Sequence, residues 1–222
     1  MKSLAFATLA ASVAISAQAF AADTASKFEG FSAEFASGYQ QTKMGNGPIY
    51  VNGTGATTLA SVGSGSSNNV PAVVGINFGI KVSSQFIVGL GATYDMTTAS
   101  VNGTCSGGGC TSVVTTKIKN RYNLFIAPGV QTSESGLAYV KLGYSGVSVS
   151  NSVSDGSVLT SGLKTNAISY GAGYKQFFNN NLYGFAEIDY AGHGSGNQTG
   201  AANFYSSNIK TTSYLVGVGY KF

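Results

Sequence analysis

Charge is scarce in this chain. Of its 222 residues 12 are Lys or Arg and 8 are Asp or Glu, 9% in all, where a soluble domain carries about a quarter. No stretch approaches the roughly 18 consecutive apolar residues of a membrane-spanning helix, so a mature chain that enters a bilayer must enter it as strands. Histidine occurs once and cysteine twice. Cys105 and Cys110 have no neighbouring His or acid, and two thiolates alone do not make a tetrahedral metal site, so no metal is expected. Phosphate-loop and zinc-helix motifs are missing, and no cofactor is expected. The net charge of +4 is spread without a basic cluster, which argues against nucleic acid as a partner. Proline is scarce, whereas there are 31 glycines, 13 tyrosines and 13 phenylalanines. Low charge with many aromatics suits an outer surface that faces lipid.

The two ends of the chain agree with this. Lys2 is followed by an apolar stretch from Leu4 to Ile15 and by Ala19-Phe20-Ala21, a small-x-small cleavage pattern. Residues 1–21 are therefore expected to be a secretory signal peptide, and residues 22–222 the mature barrel domain. At the other end Tyr214, Val216, Val218, Tyr220 and Phe222 alternate with small or polar residues. That is a strand with one apolar face. An unpaired aromatic strand would aggregate unless closure into a barrel pairs it.

Between the ends lie eight segments of period-two character: residues 30–40, 71–82, 86–96, 117–130, 137–147, 166–177, 182–191 and 208–222. Each is near the roughly 9–11 residues that a tilted strand needs to cross a bilayer. Long connections (41–70, 97–116, 148–165, 192–207) alternate with tight turns at Ser83-Ser84-Gln85, Gln131 to Gly136 and Phe178 to Asn181. Four long and three short connections are what an eight-stranded antiparallel up-and-down transmembrane β-barrel requires, all-β and with both termini on the short-turn side. Pairing of Pro48 to Val51 with Thr57 to Val62 would raise the count to ten.

The faces separate by parity. Outward positions read Phe31, Ala33, Phe35 and Tyr39 in the first strand, then Val74, Ile76, Phe78 and Ile80, then Phe86, Val88, Leu90 and Tyr94. They continue as Ile118, Tyr122, Leu124 and Ile126, then Val140, Leu142 and Tyr144, then Ile168, Tyr170 and Tyr174. In the seventh strand hydrophobicity is ambiguous, and Glu187 and Asp189 set the parity. The opposite parity collects Glu34, Lys81, Asp95, Lys117, Lys119, Arg121, Lys141, Lys175, Glu187, Asp189 and Lys221. Lys210 alone among the strand charges points outward, at the loop end. Many glycines share the lumen parity, making room in a barrel whose interior side chains can fill. By depth, Glu34, Glu187 and Asp189 are expected to meet Arg121 and Lys141 near mid-barrel, with Lys119 above and Lys175 below, as an ion-pair network that plugs the lumen.

The stretches Ala138-Tyr-Val-Lys-Leu-Gly-Tyr144, Ser169-Tyr-Gly-Ala-Gly-Tyr174 and Glu187-Ile-Asp-Tyr190 resemble strands five, six and seven of the small outer-membrane barrels of the OmpA/OmpX-like, porin-family type. The C-terminal alternation ending in Phe222 is similar to the closing strand that the barrel-assembly machinery reads. The resemblance implies a Gram-negative outer-membrane protein in contact with lipid and lipopolysaccharide. It also implies envelope support and surface loops that contact host or surface ligands.

Two further features bear on chemistry. His193, Ser195 and Asp189 share lumen parity, and a Ser-His-acid set activates a hydroxyl as nucleophile. Lipid A deacylase barrels carry a similar His-x-Ser step, but they also use a Glu after the Ser, and here no acidic residue follows Asp189. The bland reading is a polar residue where a strand enters a Gly/Ser loop. Cys105 and Cys110 are expected to form a local disulfide after export. The expectation is a non-enzymatic barrel with a plugged, charged lumen, supporting the envelope and presenting its loops; a narrow porin and a lipid A-modifying hydrolase are the alternatives.

Overall fold

A computed structural model describes residues 26–53, 56–107, 112–153, 158–194, 203–205 and 208–222. The expected signal peptide lies outside them. The described strands are β1 (Gly30–Met44), β2 (Gly47–Gly53), β3 (Ala56–Val62), β4 (Gly65–Asn69), β5 (Ala72–Lys81), β6 (Phe86–Asp95) and β7 (Ala99–Ser106). They continue as β8 (Val113–Gln131), β9 (Gly136–Val153), β10 (Val158–Phe177), β11 (Leu182–His193), β12 (Asn203–Tyr205) and β13 (Ile209–Lys221).

Eight of these close into an antiparallel barrel in the order β1-β5-β6-β8-β9-β10-β11-β13, with β13 pairing back onto β1 from Ser32↔Lys221 to Met44↔Ile209. Closure leaves the aromatic last strand no free edge. Short connections hold one end. Val82 N donates to Phe86 O at 2.9 Å, and Asn179 Oδ1 accepts from the backbone N–H groups of Asn181 and Leu182 at 2.9 and 2.8 Å, a side chain imitating a turn. This is the turn end; the opposite one is the loop end.

The barrel strands reach further toward the loop end than hydrophobic alternation alone predicts. β9 and β10 pair beyond Tyr144, through Val147↔Thr165 and Val149↔Leu163, and β8 begins at Val113. The stretches expected as loops keep alternating Val, Thr and Ser, and β-branched side chains suit the pleat even where lipid is absent. Likewise β4 continues β5 upward along β1 after a break at Val70-Pro71, and β7 continues β6 upward along β8. The hairpin of β2 and β3 forms, Pro48↔Ser61 to Gly53↔Ala56. It stands on top of the barrel, against β7 and β12, and does not enter the closed ring.

One element departs from its predicted parity. Up to Ile118 the inward residues of β8 are even-numbered (Val114, Thr116, Ile118), and from Arg121 onward they are odd-numbered (Asn123, Phe125, Ala127). The switch is a bulge, where the register with β9 shifts between Lys119 and Tyr122 and Asn120 adopts φ 54°. An extra residue there leaves two successive side chains on the same face, and Asn tolerates the left-handed conformation better than most residues. Tyr94 Oη donates to Asn120 Oδ1 at 3.0 Å and pins it. Consequently Ile118 is buried inside at 1% exposure. Lys117 and Lys119, expected in the lumen, stand outside.

The outer face is apolar along the mid-strands: Val74, Ile76, Phe78, Leu90, Leu124, Ile126, Val140, Leu142, Ile188, Val216 and Val218 are all exposed. Tyrosines rim this band toward the loop end, paired across strands as Tyr39↔Tyr214, Tyr94↔Tyr122 and Tyr170↔Tyr190. Phe86, Phe178, Tyr220 and Phe222 rim it toward the turns. An apolar band between aromatic girdles is the exterior of a membrane barrel.

Candidate functional site

The lumen is built in layers, and glycine decides where each large side chain lies. Tyr183 stands opposite Gly219, Phe185 opposite Gly217, Phe125 opposite Gly91 and Tyr139 opposite Gly173 in neighbouring strands. A Cβ at any of those glycines would come within 2.5 Å of the facing ring. Each aromatic ring therefore lies flat over the bare backbone beside it. Together with Phe28, Ile87, Ala127, Leu137, Phe177 and Leu215, these rings close the turn end with an apolar cluster.

Within and above the rings sit the charges. Lys175 Nζ is 2.5 Å from Glu34 Oε1, which also accepts from Tyr183 Oη at 2.7 Å, and the same ammonium lies 5.3 Å from the ring centroids of Tyr139 and Tyr183. One row across the barrel wall runs Lys141–Gly171–Asp189–Ser213–Gln40. Because Gly171 carries no side chain, Lys141 reaches over it to Asp189 Oδ2 at 3.2 Å and to Glu187 Oε1 at 2.6 Å. Tyr139 Oη donates to the other oxygen of Glu187 at 2.9 Å, and Lys141 Nζ lies 4.4 Å from the Phe125 ring centroid.

Arg121 takes a different partner from those expected. Its Nη1 is 2.8 Å from Asp95 Oδ2, in register directly opposite, rather than on Glu34, Glu187 or Asp189. Gln40 Nε2 completes this second group, donating to Asp95 Oδ2 at 3.2 Å and to Ser213 Oγ at 3.0 Å. Lys119 belongs to neither group, since the bulge turns it outward. Beside the Arg121–Asp95 pair is a cavity of about 60 Å³. Gln40 Oε1, Arg121 Nε, Asp189 Oδ1 and Thr211 Oγ1 belong to its lining residues and have no partner among the described residues. A space of that size and polarity suits a few waters.

Above the charges a second apolar cluster closes the loop end: Met44, Val62, Ala99, Val101, Cys105, Val114, Ile118, Val147, Val149 and Ile209. Cys105 is disulfide-bonded; Cys110 lies outside the described residues. Paired charges thus sit between two apolar stoppers, one aromatic and one largely aliphatic.

The candidate catalytic set is not assembled among the described residues. His193 is inside at 1% exposure, with Nε2 3.3 Å from Ser145 Oγ and Nδ1 without a partner. Asp189 faces Lys141 instead, and Ser195 lies outside the described residues. A triad needs an acid on the second ring nitrogen to hold the imidazole's tautomer and orientation, and among the described residues His193 has none. Of the closing-strand residues, Tyr214, Val216, Val218 and Tyr220 point outward on β13, and Phe222, just past its end, is exposed as well.

Sequence reasoning missed Gln40, Tyr139, Tyr183 and Ser213 as members of these polar groups, and it placed Asp95 in the lumen without a partner. The glycine rows were the available signal. A lumen glycine marks where the side chains on either side of it can meet.

No protein-family model matches the sequence, and no curated protein is similar to it. Among solved structures, the outer membrane protein OprG from Pseudomonas aeruginosa aligns over 87% of this chain and 97% of its own, at 14% identity and a TM-score of 0.52. The outer membrane protease OmpT from Escherichia coli aligns over 88% and 97% at 12% identity, TM-score 0.49. Ail, the attachment invasion locus protein of Yersinia pestis, aligns over 87% and 99% at 13% identity, TM-score 0.46. The likeness to OprG is one of fold: a small, closed outer-membrane β-barrel.

Proposed function

We infer, for a chain with the fold of a small outer-membrane barrel, that it works as a sealed one. It supports the envelope from within the outer membrane and displays its extended loop end to the outside. The observation that carries this is the lumen, in which buried ion pairs sit between two apolar clusters. A conduit needs a continuous polar path, and in an eight-stranded barrel side chains suffice to fill the bore. Material invested above the apolar band supports a display role. The β2–β3 hairpin, β4, β7 and β12 all add structure at the loop end and none adds a strand to the ring. Lipopolysaccharide would surround the upper barrel, the assembly machinery would read β13, and surface ligands would meet the loops.

Orientation and role are tested together in cells. An epitope inserted at Ser64, between β3 and β4, is expected to be labelled on intact cells. One inserted at Ser84, in the β5–β6 turn, is expected to be labelled only after the outer membrane is permeabilised. Deletion of the gene is expected to raise sensitivity to detergents. Labelling of Ser84 on intact cells, or unchanged detergent resistance, would count against the reading.

A further inference from the structure

The exterior of the loop end is of one charge sign. Lys43, Lys117, Lys119, Lys164 and Lys210 are exposed there, and among the described residues no carboxylate shares that surface. Glu34, Asp95, Glu187 and Asp189 are held in the lumen, while Glu29 and Glu134 stand at the turn end. Two of the lysines are direct neighbours, since Lys43 on β1 pairs with Lys210 on β13. Their Cβ atoms are then about 5 Å apart, and like charges facing at that distance destabilise a sheet unless something anionic lies between them. A second arrangement comes from the bulge. Lys119, turned outward, shares one row with Ser148 and Lys164 across β8, β9 and β10, two ammonium stems roughly 10 Å apart with a hydroxyl between.

Beside the first pair lies a surface groove of about 540 Å³ that Asn166, Ile168, Tyr170, Tyr190, Gly192 and Lys210 help to line. Gly192 puts no side chain on the wall there. Tyr170 and Tyr190, with ring centroids 5.0 Å apart, close its lower end, so the groove is apolar below and cationic above. The Lys43–Lys210 pair lies four residues beyond the Tyr39–Tyr214 pair on the same two strands. For tilted strands that is roughly 10 Å higher along the barrel axis than the aromatic rim.

We propose that this lysine collar binds the phosphates of an acylated, phosphorylated glycolipid in the outer leaflet. Lys43 and Lys210 hold one phosphate, with the body of the lipid along the groove, and Lys119, Ser148 and Lys164 seat a second phosphate. The proposal rests on the reading above that the loop end faces outward, and the charges and the groove supply the ligand chemistry.

The test uses full-length mature protein refolded in detergent micelles and offered diphosphorylated lipid A or the same lipid stripped of phosphate, with retention read by native mass spectrometry. Folding is checked first, by the shift in gel migration on heating. A chain that never reaches the compact form in micelles would contradict the barrel reading, separately from any lipid preference. The folded wild type is expected to retain the phosphorylated lipid in preference. Lys43→Gln/Lys210→Gln is expected to weaken retention about tenfold or more, at about 1 kcal/mol per lysine. Adding Lys119→Gln/Lys164→Gln removes the preference, and Lys43→Arg/Lys210→Arg keeps it. Equal retention of both lipids overturns the proposal, as does retention indifferent to the four lysines. So does lysine-dependent binding of a soluble polysulfated glycan without any preference between the lipids.

Discussion

At the scale of single residues, the lumen pairs large with small: a glycine faces each of Phe125, Tyr139, Tyr183 and Phe185, and Gly171 lies beside Lys141. Lys141 shows what such an arrangement costs when it is broken. It is the cation shared by Glu187 and Asp189, at 2.6 and 3.2 Å, and all three sit between apolar clusters. Lys141→Ala would strand two carboxylates and is expected to destabilise the folded barrel by about 3–5 kcal/mol, measured as the shift of the urea midpoint in lipid vesicles. The triple change Lys141→Met/Glu187→Gln/Asp189→Asn removes the charges together and should recover most of that loss. Equal losses in the two variants would mean that the charges are not what holds this layer. Which residues face inward was legible along β9 and β10 from alternation alone. The Arg121–Asp95 pair was not, because it depends on register between strands joined by a long connection, and alternation carries no register.

At the scale of elements, strand number and the long-short rhythm of connections could be read from the sequence, but strand ends could not. The outer halves of β8, β9 and β10 are built from Val, Thr and Ser with too little hydrophobic contrast to stand out from loop. The bulge in β8 was hidden for a related reason. In Lys117-Ile-Lys-Asn-Arg-Tyr122 a strict alternation puts three cations inside and Ile118 outside, and only a one-residue slip at Asn120 lets Ile118 join the loop-end cluster. Deleting Asn120 is expected to leave both halves of β8 on their faces, because outward Lys119 then meets inward Arg121 in strict alternation, and Lys119↔Ser148 and Tyr122↔Gly146 fall into one continuous register. Val114, Thr116 and Ile118 would stay inside, as would Phe125 and Ala127. A midpoint change below about 1 kcal/mol is expected, whereas turning even one such aliphatic or aromatic side chain outward would cost about 1.5–3 kcal/mol. Maleimide labelling of an Ile118→Cys reporter, carried in a background where Cys105 and Cys110 are both Ser, checks the geometry. The reporter should be protected both with Asn120 present and with it deleted, and reactivity in either would contradict the bulge account.

At the scale of the whole molecule, most of the described charges lie in two places. Four carboxylates and three cations are paired inside, and five lysines ring the outside of the loop end, leaving an apolar band between the girdles. An exterior of this kind suits lipid, and an interior stoppered at both ends supports the proposed reading of a wall rather than a passage. The alternation of faces announced the first of these in the sequence. The second depended on the loop-end cluster, whose members Met44, Val62, Val101 and Ile209 come from distant segments that only the fold brings together.

The most direct test is electrical. Mature protein inserted singly into a planar bilayer, in molar salt and under moderate voltage, is expected to give no stable unitary steps, and neither should Glu187→Gln, since the apolar clusters above and below the charges remain in place. Steady openings of uniform size in the wild-type barrel, scaling with salt concentration, would contradict the sealed lumen.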